Sequence, residues 1–138
     1  MITEDYVSFN TAKLLKAKGF NSASFYCYEE KEKNGILLVV LFYPLSNSDL
    51  DNTIESHKCW SAPTIQVVMK WLRENFNMNP VPYATSNGWY FEVFDLTKRD
   101  ITGCAPLYQV GIPPKEKMFE TYEEACEAAI RYTLENLI

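Results

Sequence analysis

Residues 36–43 read ILLVVLFY, eight apolar side chains in succession, and the reading of this stretch decides the fold. A membrane-spanning helix needs about 20 apolar residues, whereas this run ends at Pro44. A strand is therefore expected. Successive strand residues point to opposite faces, so one that is apolar throughout is expected to be central in its sheet and covered on both sides. Its partner lies just upstream. SFYCYEE, from Ser24 to Glu30, is rich in strand formers, and the intervening KEKNG carries an Asn34-Gly35 turn signal. Together they define a hairpin.

On the N-terminal side a helix is expected from about Ser8 to Lys18. Ser8 is its N-cap, Leu14 and Leu15 lie on its inner face, and Gly19 is the left-handed residue that ends it. On the C-terminal side a polar loop, Ser46 to Ser56, leads through HKCWSAPT (His57 to Thr64) into a second helix ending near Asn75. At about 100° per residue, Ile65, Val68, Met69, Leu72 and Phe76 form one apolar stripe, with Val67 and Trp71 at its flank. SNG, from Ser86 to Gly88, then joins a short strand near Tyr83 to a longer one from Trp89 to Leu96. The loop TKRDITGCAP and a strand from Leu107 to Ile112 lead to Pro113 and Pro114.

The last helix opens on TYEE, from Thr121 to Glu124, a capping box in which each side chain serves the other residue's backbone amide. Tyr122, Ala125, Cys126, Ala129 and Thr133 share its inner face, and Glu127 with Arg131 is an i, i+4 pair outside. The expected fold is thus α+β: one domain over residues 1–138, three principal helices and an antiparallel sheet of about five strands, in the order α-ββ-α-ββ-β-α. A weak internal echo accompanies it. KLLK from Lys13 matches KWLR from Lys70, GFN from Gly19 matches NFN from Asn75, and each is followed by a hairpin. Chance likeness of two amphipathic helices accounts for this marginally better than a true repeat.

Three segments, ITEDYVSFNTAKLLKAKGF at the start, SAPTIQVVMKWLRE in the middle and TYEEACEAAIRYTLENLI at the end, resemble a family of small uncharacterised proteins from gut-commensal bacteria and their prophages or other mobile elements. The resemblance implies a bacterial, intracellular setting. It carries over no activity and no functional residues.

Composition limits the chemistry. With 138 residues, 47% hydrophobic and 22% charged, the chain has apolar area for a real core. A net charge of −5 argues against a nucleic-acid binder, whose affinity rests on Lys and Arg displacing counterions from phosphates. The acidic start MITEDYVSF lacks the form of an export signal. The four cysteines, at 27, 59, 104 and 126, have no close pair, so reduced thiols in the cytoplasm are expected. Five scattered glycines leave neither a dinucleotide fingerprint nor a Walker A loop. No cofactor is expected.

Metal binding is not expected either. His57 and Cys59 would need two further zinc ligands from isolated cysteines. NSDLDNTIESHK, from Asn47 to Lys58, imitates a calcium loop but has Asn52 in place of the glycine and Lys58 in place of the closing glutamate. Glu92 and Asp95, three apart on a strand, point to opposite faces.

His57 is the only histidine, so Cys-His or Ser-His catalysis would have to use HKCWSAPT. Cys59 near a helix N-terminus would have its thiolate favoured by the dipole and by a neighbouring imidazolium. Against that stands a plain way into the helix: Ser61 as cap would let Trp60 staple on Ile65, while Pro63 disfavours helical geometry at Ala62 and prefers to be the first helical residue itself, so Ser61, Ala62 and Thr64 are all possible caps. That structural reading is preferred, and a cysteine-dependent enzyme or thiol sensor at Cys59 and His57 is the alternative. Trp60, Trp71, Tyr83, Trp89 and Tyr90 suggest instead a surface for a protein partner or a second copy, since Trp and Tyr carry much of the energy at interfaces. A small non-enzymatic binding or accessory protein is the expected function.

Overall fold

The computed structural model describes residues 4–33, 35–53, 58–100, 103–108 and 111–138, with the backbone alone at 99–100 and 103–108. The fold is α+β and its strands are antiparallel, as expected. They form two three-stranded sheets, however, and not one sheet of about five. The chain divides into two units, Met1–Thr64 and Ile65–Ile138.

The first unit contains α1 (Phe9–Ala17), β1 (Ser24–Lys31), β2 (Gly35–Leu45), α2 (Asn47–Thr53) and β3 (Lys58–Ser61). Ser8 caps α1, its Oγ accepting from the Thr11 amide at 3.3 Å. At the other end Gly19 has φ +86° and lets the Phe20 amide reach back to the Leu15 carbonyl at 2.9 Å. That 6→1 bond satisfies a carbonyl the helix would leave open. The sheet order is β2-β1-β3, so the central strand is β1 and the apolar run lies on an edge.

This overturns the expectation of a central, doubly covered β2. The pleat explains how an edge strand tolerates it. Cys27 is registered with Val39 and Ser61, and Tyr28 with Leu38 and Trp60, so two faces alternate along each strand. On one face Cys27, Cys59 and Leu50 of α2 form a buried cluster that takes up Val39, Leu41 and Leu45. On the other, the Tyr28 hydroxyl donates to the Val7 carbonyl at 2.6 Å, while Phe9 lies edge-on to Tyr28 and Trp60. That cover protects β1 and β3. Val40 remains 65% exposed and Phe42 fully exposed.

Two further elements arise where the sequence suggested loops. Asn47–Thr53 is helical, and Ser46 and Asp49 cap it reciprocally: the Ser46 Oγ accepts from the Asp49 amide at 3.2 Å, and the Asp49 carboxylate accepts from the Ser46 amide at 3.0 Å. The stretch 58–61 is the strand β3. Ser61 is therefore a strand residue and not a helix cap. Its amide donates to the buried Asn47 Oδ1 at 2.8 Å, and the Asn47 Nδ2 donates to the Phe20 carbonyl at 2.7 Å.

The second unit contains α3 (Ile65–Phe76), β4 (Met78–Thr85), β5 (Gly88–Asp100), β6 (Gly103–Tyr108) and α4 (Tyr122–Asn136), with sheet order β4-β5-β6. Ile65, Val68, Met69 and Leu72 of α3 are buried, as the periodicity predicts. Helix α3 ends at Phe76, one residue beyond the expected Asn75, and the left-handed residue after it is Asn77 (φ +55°). Strand β6 starts four residues before the expected Leu107–Ile112 and overlaps it at 107–108, positions 109–110 lying outside the described residues, and β5 continues through much of what read as loop. Asp95 accounts for the register shift there: its carboxylate accepts from the Thr97 amide at 2.9 Å and the Thr97 hydroxyl at 2.6 Å, turning the backbone locally.

The small inner face of α4, Ala125, Cys126 and Ala129, is buried, and Ala129 joins Phe91 and Val93 of β5 in one cluster. The Thr121 hydroxyl accepts from the Glu124 amide at 3.1 Å as expected, but the Glu124 carboxylate accepts from the Glu120 amide, one residue earlier than the capping box requires. Arg131 pairs forward with Glu135 at 3.5 Å. The helix-hairpin echo survives locally as α1-β1-β2 and α3-β4-β5. The two sheets nonetheless differ: the third strand adds beside the first hairpin strand in one unit and beside the second in the other.

Candidate functional site

The strand position of Cys59 decides its chemistry. Beside it on β3, Trp60 points to the other face, against Phe9, whereas Cys59 is 2% exposed within the Cys27 and Leu50 cluster. Burial pushes the Cys59 thiol above its ordinary range, and the nearby Glu29 carboxylate pushes the same way, only partly opposed by Lys16. Cys27 is pushed up to about 11, mainly by burial and then by Cys59 and Glu29. A nucleophile needs the thiolate, and this environment favours the thiol. His57 lies outside the described residues, so its relation to Cys59 does too. Cys126, buried in α4, is likewise raised to about 11 by burial. Among the described residues no cluster of metal-ligating side chains occurs.

The five aromatic candidates are each half-buried within their own unit. Trp60 meets the edge of Phe9 at 5.0 Å, and the Lys16 ammonium sits 6.0 Å from the Trp60 ring centre. Trp71 lies edge-on to Phe76 at 5.0 Å and Trp89 edge-on to Tyr122 at 5.4 Å. Tyr83 and Tyr90, directly opposite on β4 and β5, stack at 5.2 Å. Of the five, the fold brings these two tyrosines together as a cross-strand pair. Burial, then the Glu92 charge, raises the Tyr83 hydroxyl above its usual range.

The most exposed apolar surface lies elsewhere. Ile36, Leu37, Leu38, Val40, Phe42 and Tyr43 line β2, and Phe25 joins them where the register of β1 shifts between Ser24 and Tyr26. Phe25 is 56% exposed and Tyr43 61%. By the pleat these side chains divide between the two faces of the sheet, with Ile36, Leu38 and Val40 on one and Leu37 on the other, and exposed apolar surface on this scale marks binding surfaces. The backbone adds a second feature: among the described residues β1 is the strand that pairs with β2, and the outer side of such an edge strand presents a row of amide and carbonyl groups open to another strand. From Gly35 to Leu45 the strand carries no charge, and charge is a common device for keeping other strands away. The unbroken apolar run reads as core, but Pro44 lies inside β2, and a proline within a strand is confined to edges, strand starts and bulges, so it is the sequence signal that marks this strand as an edge.

Comparison with protein-family models, with curated proteins and with solved structures finds no match to this chain. Among the described residues no helix is long and apolar enough to cross a membrane.

Proposed function

We propose that this is a small, cytoplasmic, non-enzymatic binding or accessory protein that engages a protein partner through the β2 edge, in the bacterial setting its three family-like segments imply. The observation that carries the reading is the full exposure of Phe42 within an uncharged apolar edge strand. The aromatic pairs of the second unit, Tyr83 with Tyr90 and Trp89 with Tyr122, are a lesser candidate surface, since each is already packed on a neighbour. A cytoplasmic location is supported by the free thiols of Cys27, Cys59 and Cys126. The burial of Cys59 weighs against the thiol-enzyme alternative.

The test is a photo-crosslinking residue in place of Phe42, activated in the producing cells, with the exposed Lys70 as the control position. Discrete crosslinked protein species at position 42 and none at 70 are expected. Indistinguishable patterns at the two positions would overturn the reading.

A further inference from the structure

We infer that the occupant of the β2 edge is a second copy of this chain, paired antiparallel through β2 so that two three-stranded sheets become one of six strands. The inference rests on the binding role proposed for that edge and names its partner. Three observations carry it.

The first is area. Ile36, Leu37, Leu38, Val40, Phe42 and Tyr43, which alternate between the two faces of the sheet, and Phe25 of β1 together expose apolar side-chain area of roughly 700 Å², taking about 150–200 Å² per fully exposed side chain; this is the upper limit of what pairing along the edge buries, beside the ~800 Å² that each partner buries in a standard interface. The second is symmetry. A two-fold interface places the same surface on both sides, and an antiparallel pair of identical strands has that symmetry. Centring the pair near Val40 sets Phe42 of each copy opposite Leu38 of the other, apolar against apolar. The third is the absence of charge from Gly35 to Leu45. Nothing in β2 repels its own copy, and nothing in it selects a charged peptide. Pro44 lacks an amide hydrogen and limits the pairing to the run before it.

The experiment measures the mass of the full chain by sedimentation equilibrium from about 1 µM to 1 mM, beside Val40→Lys and Phe42→Lys. Both positions are exposed, so a matching far-UV spectrum will confirm folding. A dimer plateau is expected for the parent chain, with association at least tenfold weaker in either variant. Amide exchange should slow within 36–43 as the dimer forms. A chain that stays monomeric to 1 mM, an open-ended assembly without a dimer plateau, or a dimer indifferent to both lysines would overturn the inference. If the chain is monomeric while position 42 crosslinks a different protein, the second copy is excluded and the binding edge stands. If it is monomeric and position 42 crosslinks nothing, both fall.

Discussion

Asn47→Ala should damage the first unit more than any surface change nearby. Asn47 sits buried at the start of α2 and joins two other segments, donating to the Phe20 carbonyl at 2.7 Å and accepting from the Ser61 amide at 2.8 Å. Phe20 and Ser61 are themselves buried, so water cannot easily replace the lost amide. Each of the two stranded buried groups costs about 1–3 kcal/mol, giving an expected loss of about 2–6 kcal/mol. Domains hold about 0.05–0.15 kcal/mol per residue, so for a unit of about 64 residues this is a large share of the total. Urea denaturation followed by Trp60 fluorescence, with Trp71 and Trp89 replaced by Phe so that only the first unit reports, measures it. Asn21→Ala is the matched control: its side chain accepts from the Ser48 amide at 2.9 Å at the surface, where water substitutes and about 0.5–1 kcal/mol is expected. Asn47→Asp keeps an acceptor for Ser61 but turns a negative charge toward the Phe20 carbonyl, so near pH 7 it should do no better than Ala. A loss below about 1 kcal/mol for Asn47→Ala, or one equal to Asn21→Ala, would refute the reasoning.

Gly88→Ala should cost about 2–4 kcal/mol in the second unit, because Gly88 has φ +138° and a Cβ there would lie 2.7 Å from the Phe119 carbonyl oxygen. That carbonyl accepts from the Trp89 amide, so backbone strain and a lost hydrogen bond combine; a change in denaturation midpoint smaller than that of Asn87→Ala would contradict this. The carboxyls of Asp49 and Asp95 are both held below the usual range, by hydrogen bonds from Ser46 and from Thr97 respectively. A lowered folded pKa means the unfolded chain takes up protons first. The stabilisation is therefore present above about pH 4 and is lost as pH falls further. Asp49→Asn and Asp95→Asn should flatten the acid limb of a stability profile between about pH 5 and 2, and an unchanged limb would remove the effect. Cys27 and Cys59, buried and raised, should alkylate near pH 7 far more slowly in the native chain than in urea when followed peptide by peptide; rapid native labelling of Cys59 would restore the thiol-based alternative.

The elements themselves were largely legible in the sequence, because short-range physics sets them. Ser8 and Gly19 bound α1, the Ile65 to Leu72 stripe defines the buried face of α3, and Thr121 starts α4. The reciprocal cap on α2 was legible too. Ser46 and Asp49 stand three apart, the spacing of a capping box. Sheet order was legible only through Pro44, which marks β2 as an edge. Alternation tells which residues share a face, but β2 is apolar on both faces, and by that pattern alone it fits a sheet's centre or an edge awaiting a partner. Where β3 pairs, a contact from residues 58–61 back to residues 27–30, no local pattern encodes. The same pairing moved Cys59 from a helix approach into a strand, buried its thiol against Cys27 and Leu50, and left Val40 and Phe42 uncovered. Local chemistry marks which segments are apolar, and pairing between distant strands selects which of them the fold leaves uncovered, because hydrophobic burial is non-directional whereas strand neighbours are chosen by specific backbone hydrogen bonds.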